Sequence, residues 1–251
     1  MKRIAIIGYG FVGQAVHSGI RRDVEVFIHD PLKGYDDECP DIDVAFICVG
    51  TPERGDGSQD LDAVVDAFNN AVLNMGAKLI VVKSTVLPGS LAPVGMTKST
   101  AHVVVNPEFL NQDNAVNDFQ NQRLCVLGGF MEDCLKLQDV YEECFAVNIQ
   151  EYEFCTHGEA SAIKYTHNVY NAYKVLFWNY VNWMAGDHRK TARAYKKLRE
   201  GLPSEFTQVA SDGKPGYGGA CFPKDVKAIH SVFPHDLTGF MIEFNNRIRP
   251  D

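Results

Sequence analysis

Short apolar runs and amphipathic stretches alternate along the first part of the chain. Apolar runs of about four to eight residues between turn residues are typical of buried strands, whereas apolar positions three and four residues apart indicate helices. The pattern predicts strands at 2–7, 24–29, 43–49, 79–83, 103–105 and 124–127, with helices ending near Arg21 and spanning 61–75 and 132–144. This regular alternation indicates an α/β fold with a doubly wound, mainly parallel sheet.

The pattern changes near residue 154, beyond which only helices are expected. Residues 157–185 are rich in aromatic side chains and contain no proline, so they predict one long helix. The remaining segments are a loop-rich link at 202–215 and helices at 225–233 and 237–249. We therefore predict two domains, an α/β domain over residues 1–153 and an all-α domain over residues 154–251.

Composition fits an ordinary globular protein and argues against several classes of partner. The 251 residues are 45% hydrophobic and 22% charged, and a net charge of −8 disfavours nucleic acid or an anionic membrane surface. Seven cysteines are scattered without a C-x-x-C pair, which is typical of a reducing cytosol and excludes a zinc ribbon or a disulfide scaffold. No signal peptide precedes the first strand, and no apolar run reaches bilayer length. We expect a cytoplasmic protein without metal or membrane contacts.

A glycine-rich turn joins the first strand to the first helix. Gly8, Gly10 and Gly13 form a G-x-G-x-x-G motif, and Asp30 follows the next strand about 20 residues later. In this context the glycines allow a tight turn and a close approach to a pyrophosphate, and the acid binds a ribose 2′-hydroxyl. The other motif positions expected to line the cofactor are Tyr9, Phe11 and Val12. The motif predicts a Rossmann-like domain that binds NAD rather than NADP, because Asp30 would repel a 2′-phosphate.

Polar and small residues follow several of the predicted strands. They are Gly50 and Thr51 after the third strand, Ser84 and Thr85 after the fourth, and Glu108 after the fifth. Val49, the last residue of the third strand, is also expected to line the cofactor. Open α/β sheets bind ligands beyond the carboxyl ends of their strands. Each of the polar residues can also be an ordinary turn or capping residue, but their shared location favours a site for cofactor and substrate.

A second glycine-rich turn, Gly216–Gly219, leads to Cys221 and a predicted helix start at Pro223. A thiol at a helix N-terminus beside Lys224 should have a depressed pKa and be a good nucleophile at neutral pH. Asp225 lies four residues after Cys221, so both side chains can share one helix face. The alternative is a plain turn that opens a helix, with Cys221 a small buried apolar residue.

The long predicted helix carries polar residues beside its apolar surface. Lys164, Asn168 and Asn179 recur at helical spacing, and buried groups of this kind need partners to offset desolvation. Lys164 can instead be a surface lysine with an apolar stem, and Asn168 can form a hydrogen bond between helices. A basic run follows at 188–199, which is more typical of a solvated helix face than of a phosphate site.

Taken in order, these motifs resemble those of the UDP-glucose/GDP-mannose 6-dehydrogenase family. The matching segments are Gly8–Gly13, Val49–Pro52, Ser84–Val86 with Pro88 and Gly89, Asn106–Leu110, Arg123 with Gly128, the helix bearing Lys164, Asn168 and Asn179, and Gly216–Asp225. They span nearly the whole chain, and the cysteine turn is highly specific. The resemblance implies an NAD-binding Rossmann-like domain, followed by a central helical domain whose long helix forms the core of a homodimer.

The resemblance also implies a reaction. Members of the family oxidise the C6 alcohol of a nucleotide sugar to a carboxylate in two steps, with two molecules of NAD. In family terms Cys221 attacks the C6 aldehyde, and the resulting thiohemiacetal is oxidised to a thioester that water hydrolyses.

Roles for further residues follow from the same resemblance. Lys164 and Asn168 would stabilise the oxyanion that develops at C6. Asp225 with Thr85 would position or deprotonate water, and Glu108 would act in thioester hydrolysis. The residues expected to bind substrate are Glu108, Phe109, Leu110, Lys164, Asn168, Tyr217 and Gly218.

The chain departs from the family pattern in three places. Family members carry a third, C-terminal α/β domain that covers the nucleotide, and nothing follows Asp251 in this sequence. Gln112 stands where a second acid is common, and residues 202–208 lack the arginine that family dimers lend to a neighbouring site. Three expectations stay open: a smaller or weakly held substrate, a partner chain that supplies the cover, or loss of catalysis.

Two functions of other classes also stay open. A two-electron dehydrogenase of the hydroxyacid or 6-phosphogluconate type shares the Rossmann-like domain, the long helix and a Lys-x-x-x-Asn pair, but it does not need Cys221. A catalytically impaired NAD-binding scaffold is the second. Two NADH and an acid per substrate indicate the four-electron enzyme, whereas one NADH and a carbonyl indicate the two-electron enzyme.

Overall fold

The structure is a computed structural model that describes residues 2–36, 40–92, 102–186, 188–198 and 214–249. The chain divides into two compact units. The first comprises Met1–Pro52 and Asp60–Lys164, and the second comprises Glu53–Gln59 and Tyr165–Asp251. This division falls within the long helix, and the predicted domain boundary between residues 153 and 154 stays a prediction.

The first unit contains the strands and most of the helices of the described chain. Its strands are β1 (Arg3–Ile7), β2 (Glu25–Asp30), β3 (Tyr35–Asp36), β4 (Val44–Ile47), β5 (Leu79–Val82), β6 (His102–Val105), β7 (Asn121–Gln122), β8 (Cys125–Gly129), β9 (Asn148–Ile149) and β10 (Tyr152–Cys155). Its helices are α1 (Phe11–Gly19), α2 (Asp62–Leu73), α3 (Ala115–Gln120), α4 (Met131–Cys144) and the start of α5 (His157–Ala185). Short 3-10 helices occur at Pro31–Lys33 and Gln112–Asn114.

Eight strands form one sheet in the order β10-β8-β6-β5-β4-β1-β2-β3, and β7 pairs with β9 separately. From β2 through β1, β4 and β5 to β6 the pairing is parallel, whereas β3 and the short contact of β8 with β6 are antiparallel. β2 and β4 are the two neighbours of β1 in the sheet, so the chain first adds a strand on one side of β1 and then on the other. Such a reversal is the switch point where open α/β sheets bind ligands. The predicted α/β class with a Rossmann-like parallel sheet is confirmed.

The central strands β1, β4, β5 and β6 are buried on both faces of the sheet, which explains why they read as continuous apolar runs. Successive side chains of a strand point to opposite faces. Ile4 and Ile6 accordingly pack into one apolar cluster with α1 and α4, whereas Ala5 and Ile7 pack into another with α2. All four side chains are buried.

The second unit is helical. It contains the remainder of α5, then α6 (His188–Leu198), α7 (Phe222–Val232) and α8 (Asp236–Ile248). Its core is formed by Ala172, Leu176, Tyr217, Val226 and Met241. The segment Glu53–Gln59 belongs to this unit because Gln59 Nε2 donates to the Tyr165 hydroxyl at 3.1 Å and Glu53 pairs with Lys227 at 2.8 Å.

The predicted elements agree with most of the structure. The long helix over 157–185 is confirmed residue for residue. The strand expected at 124–127 begins and ends later, at Cys125–Gly129, and the helix expected at 225–233 begins earlier, at Phe222. The sequence pattern missed β10 and α3, since both are short and their apolar residues do not repeat often enough to define a period. Across the described residues, no helix has the length and apolar character to cross a bilayer.

Candidate functional site

The turn between β1 and α1 uses its three glycines in three ways. Gly8 has φ +89°, and a Cβ there would lie 2.9 Å from the backbone of Cys48 and Val49. A Cβ on Gly13 would lie 2.2 Å from the Gly8 carbonyl oxygen, so α1 packs directly on the turn. By contrast, no atom lies within 4 Å of the place where a Gly10 Cβ would stand. The turn is closed on two sides and open at Gly10, as a pyrophosphate cradle requires.

The start of α1 suits an anion. Gly10 is its N-cap and forms no side-chain hydrogen bond to the helix, and the first turn contains no acidic residue. The positive end of the helix dipole and the first N–H groups are therefore left for a ligand. Asp30 ends β2, and its carboxylate accepts the Tyr9 N–H at 2.8 Å. This contact fixes the acid beside the glycine turn. The residues present therefore fit NAD, whose ribose hydroxyl would meet a carboxylate here.

The loops after β4 and β5 are joined by two hydroxyl groups. Ser84 Oγ donates to the Val49 carbonyl at 2.8 Å, and Thr51 Oγ1 donates to the Thr85 carbonyl at 3.0 Å. Thr51 and Ser84 are buried, whereas Thr85 is half-buried. The predicted cofactor residues Val49, Thr51, Ser84 and Thr85 thus lie together at one edge of the sheet. Gly50 follows Val49 in the same loop, and no atom lies within 4 Å of the place where its Cβ would stand.

Glu108 and Lys164 form a buried pair in the first unit. Lys164 Nζ lies 3.0 Å from Glu108 Oε1 and also donates to the Glu108 carbonyl at 2.6 Å. Glu108 is 7% exposed and Lys164 is 4% exposed, so Lys164 is not a surface lysine. Glu108 Oε2 is buried and accepts no hydrogen bond. Phe109 lies under the ammonium, with its ring centroid 5.6 Å from Nζ, and Leu110 follows half-buried.

A buried polar cluster formed by Lys83, Asn106 and Tyr141 was not predicted from the sequence. Lys83 Nζ donates to Asn106 Oδ1 at 3.0 Å, and the Tyr141 hydroxyl donates to the same oxygen at 2.6 Å. Burial lowers the pKa of the Lys83 ammonium, and it raises the pKa of the neighbouring Cys48 thiol to about 12 and that of the Cys125 thiol to about 11. The available signal was a lysine directly after four apolar strand residues, a position that the sheet buries.

The second unit carries the cysteine turn. Cys221 is the N-cap of α7 and is partly exposed, and Pro223 is the second residue of the helix. Asp225 is 1% exposed, and both of its carboxylate oxygens are held. Asn168 Nδ2 donates to one oxygen at 2.6 Å, and Lys224 Nζ donates to the other at 2.6 Å. The structure thus brings together Asn168 and Asp225, which the sequence separates by 57 residues.

Two asparagines hold the glycine turn that precedes Cys221. Asn179 Oδ1 accepts the Gly216 N–H at 3.2 Å, and Asn245 Oδ1 accepts the Tyr217 N–H at 2.8 Å. Asn245 Nδ2 returns a hydrogen bond to the Tyr217 carbonyl at 3.2 Å. Arg249 packs on Gly218, where a Cβ would lie 2.3 Å from its guanidinium. Asn245 and Arg249 were not predicted, because nothing in the spacing of α8 singles them out.

Tyr217 was expected to bind substrate, and its side chain is 3% exposed within the apolar cluster of the second unit. Its hydroxyl donates to the Met241 carbonyl at 3.4 Å. The hydroxyl, N–H and carbonyl of Tyr217 are thus all bonded within the second unit, and a substrate-binding role for Tyr217 and Gly218 stays a prediction. Within the described ranges, no group of histidine, cysteine and acidic side chains could hold a metal ion.

The mainly parallel sheet, its switch point beside the glycine turn after β1, and the acid that ends β2 are the features of a dinucleotide-binding domain. The chain belongs to the UDP-glucose/GDP-mannose dehydrogenase family. Residues 32–145 match its NAD binding domain, and residues 158–244 match its central domain. The family match identifies the cofactor as NAD and the class as oxidoreductase.

Individual relatives agree with this membership. A UDP-glucose 6-dehydrogenase from Rickettsia conorii is 34% identical over 79% of this chain and 46% of its own length. A GDP-mannose 6-dehydrogenase from Pseudomonas savastanoi is 33% identical over 74% of this chain and 45% of its own length. The chain thus spans about half the length of these relatives. A UDP-glucose dehydrogenase structure from Pyrobaculum islandicum has a TM-score of 0.72 at 25% identity and covers 99% of this chain and 67% of its own.

Proposed function

We propose that this chain oxidises the C6 alcohol of a nucleotide sugar to the carboxylate through a thioester on Cys221. The observation that carries the proposal is the start of α7. Cys221 is partly exposed at the helix N-cap, and the acid one turn later is buried and held by two hydrogen bonds. A structural cysteine needs no such arrangement, whereas a nucleophile needs a neighbouring polar group of fixed position.

The proposed chemistry balances as two two-electron steps. When bound, NAD would take up one hydride in each step, so two molecules are consumed, and the hydroxyl proton of the alcohol is released to solvent in the first step. Between these steps the Cys221 thiolate adds to the C6 aldehyde, and the aldehyde oxygen becomes the alkoxide of a thiohemiacetal. After the second oxidation, water adds to the thioester carbonyl. The carbon–sulfur bond then breaks, which releases the carboxylate and restores the thiolate.

Glu108 is the group that we assign to hydrolysis of the thioester. Glu108 keeps one carboxylate oxygen, Oε2, without a hydrogen-bond donor inside the protein. A buried oxygen of this kind is costly for folding, so we assign it the task of accepting a proton from the attacking water. Lys164 holds the other oxygen of the same carboxylate, and its positive charge would also favour an anionic oxygen on substrate carbon.

Cys221 is the proposed nucleophile, and Asn168 and Asp225 also belong to the second unit. Asn168 follows Lys164 by one turn of α5 and would donate to the developing oxyanion when it is not bound to Asp225. We assign Asp225 to positioning water. A carboxylate oxygen can accept a hydrogen bond from water, which would orient its lone pair toward the thioester carbon.

The substrate class is proposed from the relatives. Their names specify UDP-glucose and GDP-mannose, which share a nucleoside diphosphate and a hexose with a C6 alcohol. We propose a nucleotide sugar of this class for this chain. The base and the sugar stereochemistry are left to the assay.

The experiment counts NADH per substrate with UDP-glucose, GDP-mannose and their N-acetyl relatives. We expect two NADH and a uronate for each molecule of substrate. Cys221→Ala should abolish acid formation while NAD still binds, and Cys155→Ala, at a partly buried cysteine of the first unit, should form acid as before. Acid formation at the normal yield by Cys221→Ala would refute the assignment of the nucleophile.

Two other outcomes support the competing functions. One NADH and a carbonyl product indicate a two-electron dehydrogenase, in which Cys221 is dispensable. NAD binding without turnover of any nucleotide sugar indicates a catalytically impaired scaffold. The same experiment therefore separates the three functions.

We also propose that the protein is a homodimer through α5. Large apolar side chains are exposed along the second half of this helix, at Tyr170, Tyr173, Phe177, Tyr180, Trp183 and Met184. Exposed apolar stripes of this size are typical of protein interfaces. We expect light scattering to give twice the chain mass of 27.9 kDa and Trp183→Glu, at an 80% exposed position, to give the monomer. A monomeric wild type at micromolar concentration would contradict this proposal.

A further inference from the structure

Lys83 is a lysine in the interior of the sheet. It directly follows β5, and its N–H still donates to the Ile47 carbonyl of β4 at 2.9 Å. The whole residue is 1% exposed. A buried ammonium loses its hydration, which is costly unless a carboxylate or several hydrogen bonds replace the water. The reason for its presence must therefore be found among its partners.

Those partners compensate the charge only in part. Lys83 Nζ donates to Asn106 Oδ1 at 3.0 Å and lies 5.7 Å from the centroid of the Phe119 ring. In the described part of the chain, no carboxylate lies within ion-pair distance of it, and the Glu108 carboxylate acts on its charge only from farther away. An amide oxygen and an aromatic face are weaker partners for a cation than a carboxylate. Packing and stability alone thus give no reason for a lysine at this position.

Asn106 connects Lys83 to the loop that follows β6. Its backbone N–H donates to the Val82 carbonyl at 2.9 Å, and its Nδ2 donates to the Val126 carbonyl at 2.8 Å. Its Oδ1 accepts from both Lys83 and the Tyr141 hydroxyl, at 3.0 and 2.6 Å. The Asn106 amide is therefore fixed at both ends, and it lies two residues before Glu108.

Glu108 is held from the other side by Lys164, which binds its carbonyl oxygen and its Oε1. Its Oε2 accepts no hydrogen bond although it is buried. We propose that Lys83 is a positioning residue for Glu108: by holding the Asn106 amide, it fixes the loop that carries Glu108 and thereby the position of Oε2. This inference rests on the proposed function, in which Glu108 accepts the proton of the hydrolytic water.

The proposal predicts that stability and activity respond differently to Lys83→Met. Methionine has a similar length, and replacing a poorly compensated buried charge by an apolar side chain is often neutral or stabilising. Asn106 Oδ1 would keep the Tyr141 hydroxyl. We expect an unchanged or raised Tm and a kcat lowered about ten- to hundredfold. KM should fall together with kcat, because a covalent intermediate that is hydrolysed slowly accumulates, and kcat/KM should stay close to the wild-type value.

The step that Lys83→Met should slow is hydrolysis of the thioester on Cys221. If Glu108 is misplaced, the thioester still forms but is hydrolysed slowly. Lys83→Met should therefore show a burst of NADH and a covalent sugar adduct by mass spectrometry. A residue that only supported the fold would lower both steps together. In a Glu108→Gln background, Lys83→Met should cause little further loss, because two residues that act through one group are not additive.

Two further variants serve as controls. Lys78→Met makes the same change just before β5, where the side chain is 71% exposed and pairs with Asp43 at 2.7 Å, and it should leave kcat unchanged. Tyr141→Phe removes the other donor to Asn106 Oδ1, and it replaces Lys83→Met in the experiment if that variant does not fold. We expect the same burst and adduct from Tyr141→Phe.

A measurement independent of turnover separates this inference from the proposed function. Hydrogen–deuterium exchange of the peptide covering 106–110 should be faster in Lys83→Met than in wild type and unchanged in Lys78→Met. If the wild type oxidises no nucleotide sugar but this exchange pattern is found, the proposed function fails and the positioning role holds. The inference would be overturned if the 106–110 peptide of Lys83→Met exchanged at the wild-type rate. It would also be overturned if Lys83→Met lowered kcat by the same factor in the wild type and in the Glu108→Gln background.

Discussion

Gly13→Ala tests whether the glycine turn is built by contact between α1 and β1. The new Cβ would lie 2.2 Å from the Gly8 carbonyl oxygen and 3.2 Å from Ile6 Cγ2. Non-bonded contacts of a Cβ below 3.0 Å essentially do not occur, and the nearest atom here belongs to the backbone. The helix must therefore move away from the turn by roughly 0.8 Å to make room.

The magnitude follows from two opposing effects. In a helix with free space, replacing glycine by alanine stabilises by about 0.5–1 kcal/mol. Overpacking of a filled site costs about 1–3 kcal/mol and dominates at Gly13. For a chain of this size, each kcal/mol lowers Tm by about 2–4 °C. We therefore expect Tm to fall by several degrees.

The cofactor should respond as well, because the same shift displaces the N–H groups at the start of α1. A misplacement of about 1 Å can cost a hundredfold in function. We expect NAD affinity, measured by isothermal titration calorimetry, to fall at least tenfold. Gly158→Ala is the matched control, since Gly158 lies in α5 with no atom within 4 Å of its Cβ position, and its Tm should not fall. A Gly13→Ala protein with wild-type Tm and NAD affinity would refute the reasoning.

Three further predictions concern the same two regions. Asp30→Ala should reduce the rise in Tm that NAD produces while the unliganded Tm changes little, and an unchanged NAD shift would contradict the role of the acid. Asn245→Ala removes both hydrogen bonds to the Tyr217 backbone, so thermal unfolding should show a loss of about 1–3 kcal/mol, whereas an unchanged Tm would speak against that contact. Brief iodoacetamide treatment at pH 7.5 should label Cys221 before Cys48 and Cys125, because burial raises the pKa of those two thiols to about 12 and 11, and peptide mass spectrometry will show the order.

The sequence alone determined the α/β alternation and the dinucleotide turn. Both are local: a buried parallel strand needs a continuous apolar run, and the turn needs glycines at fixed spacing before a helix. The long helix over 157–185 was equally readable, because 29 residues without proline and rich in aromatic side chains contain no helix breaker. Short elements such as β10 and α3 were missed, since few residues define no period.

Only the tertiary structure decided which polar residues are buried and what holds them. The sequence left Lys164 open between a surface lysine and a buried group, and the fold pairs it with Glu108, 56 residues away. Asn168 was likewise left open and is bonded to Asp225, and Lys83, which was not singled out from the sequence, donates to Asn106. A side chain's burial depends on which distant elements pack over it, and spacing along one helix or strand carries no information about that packing.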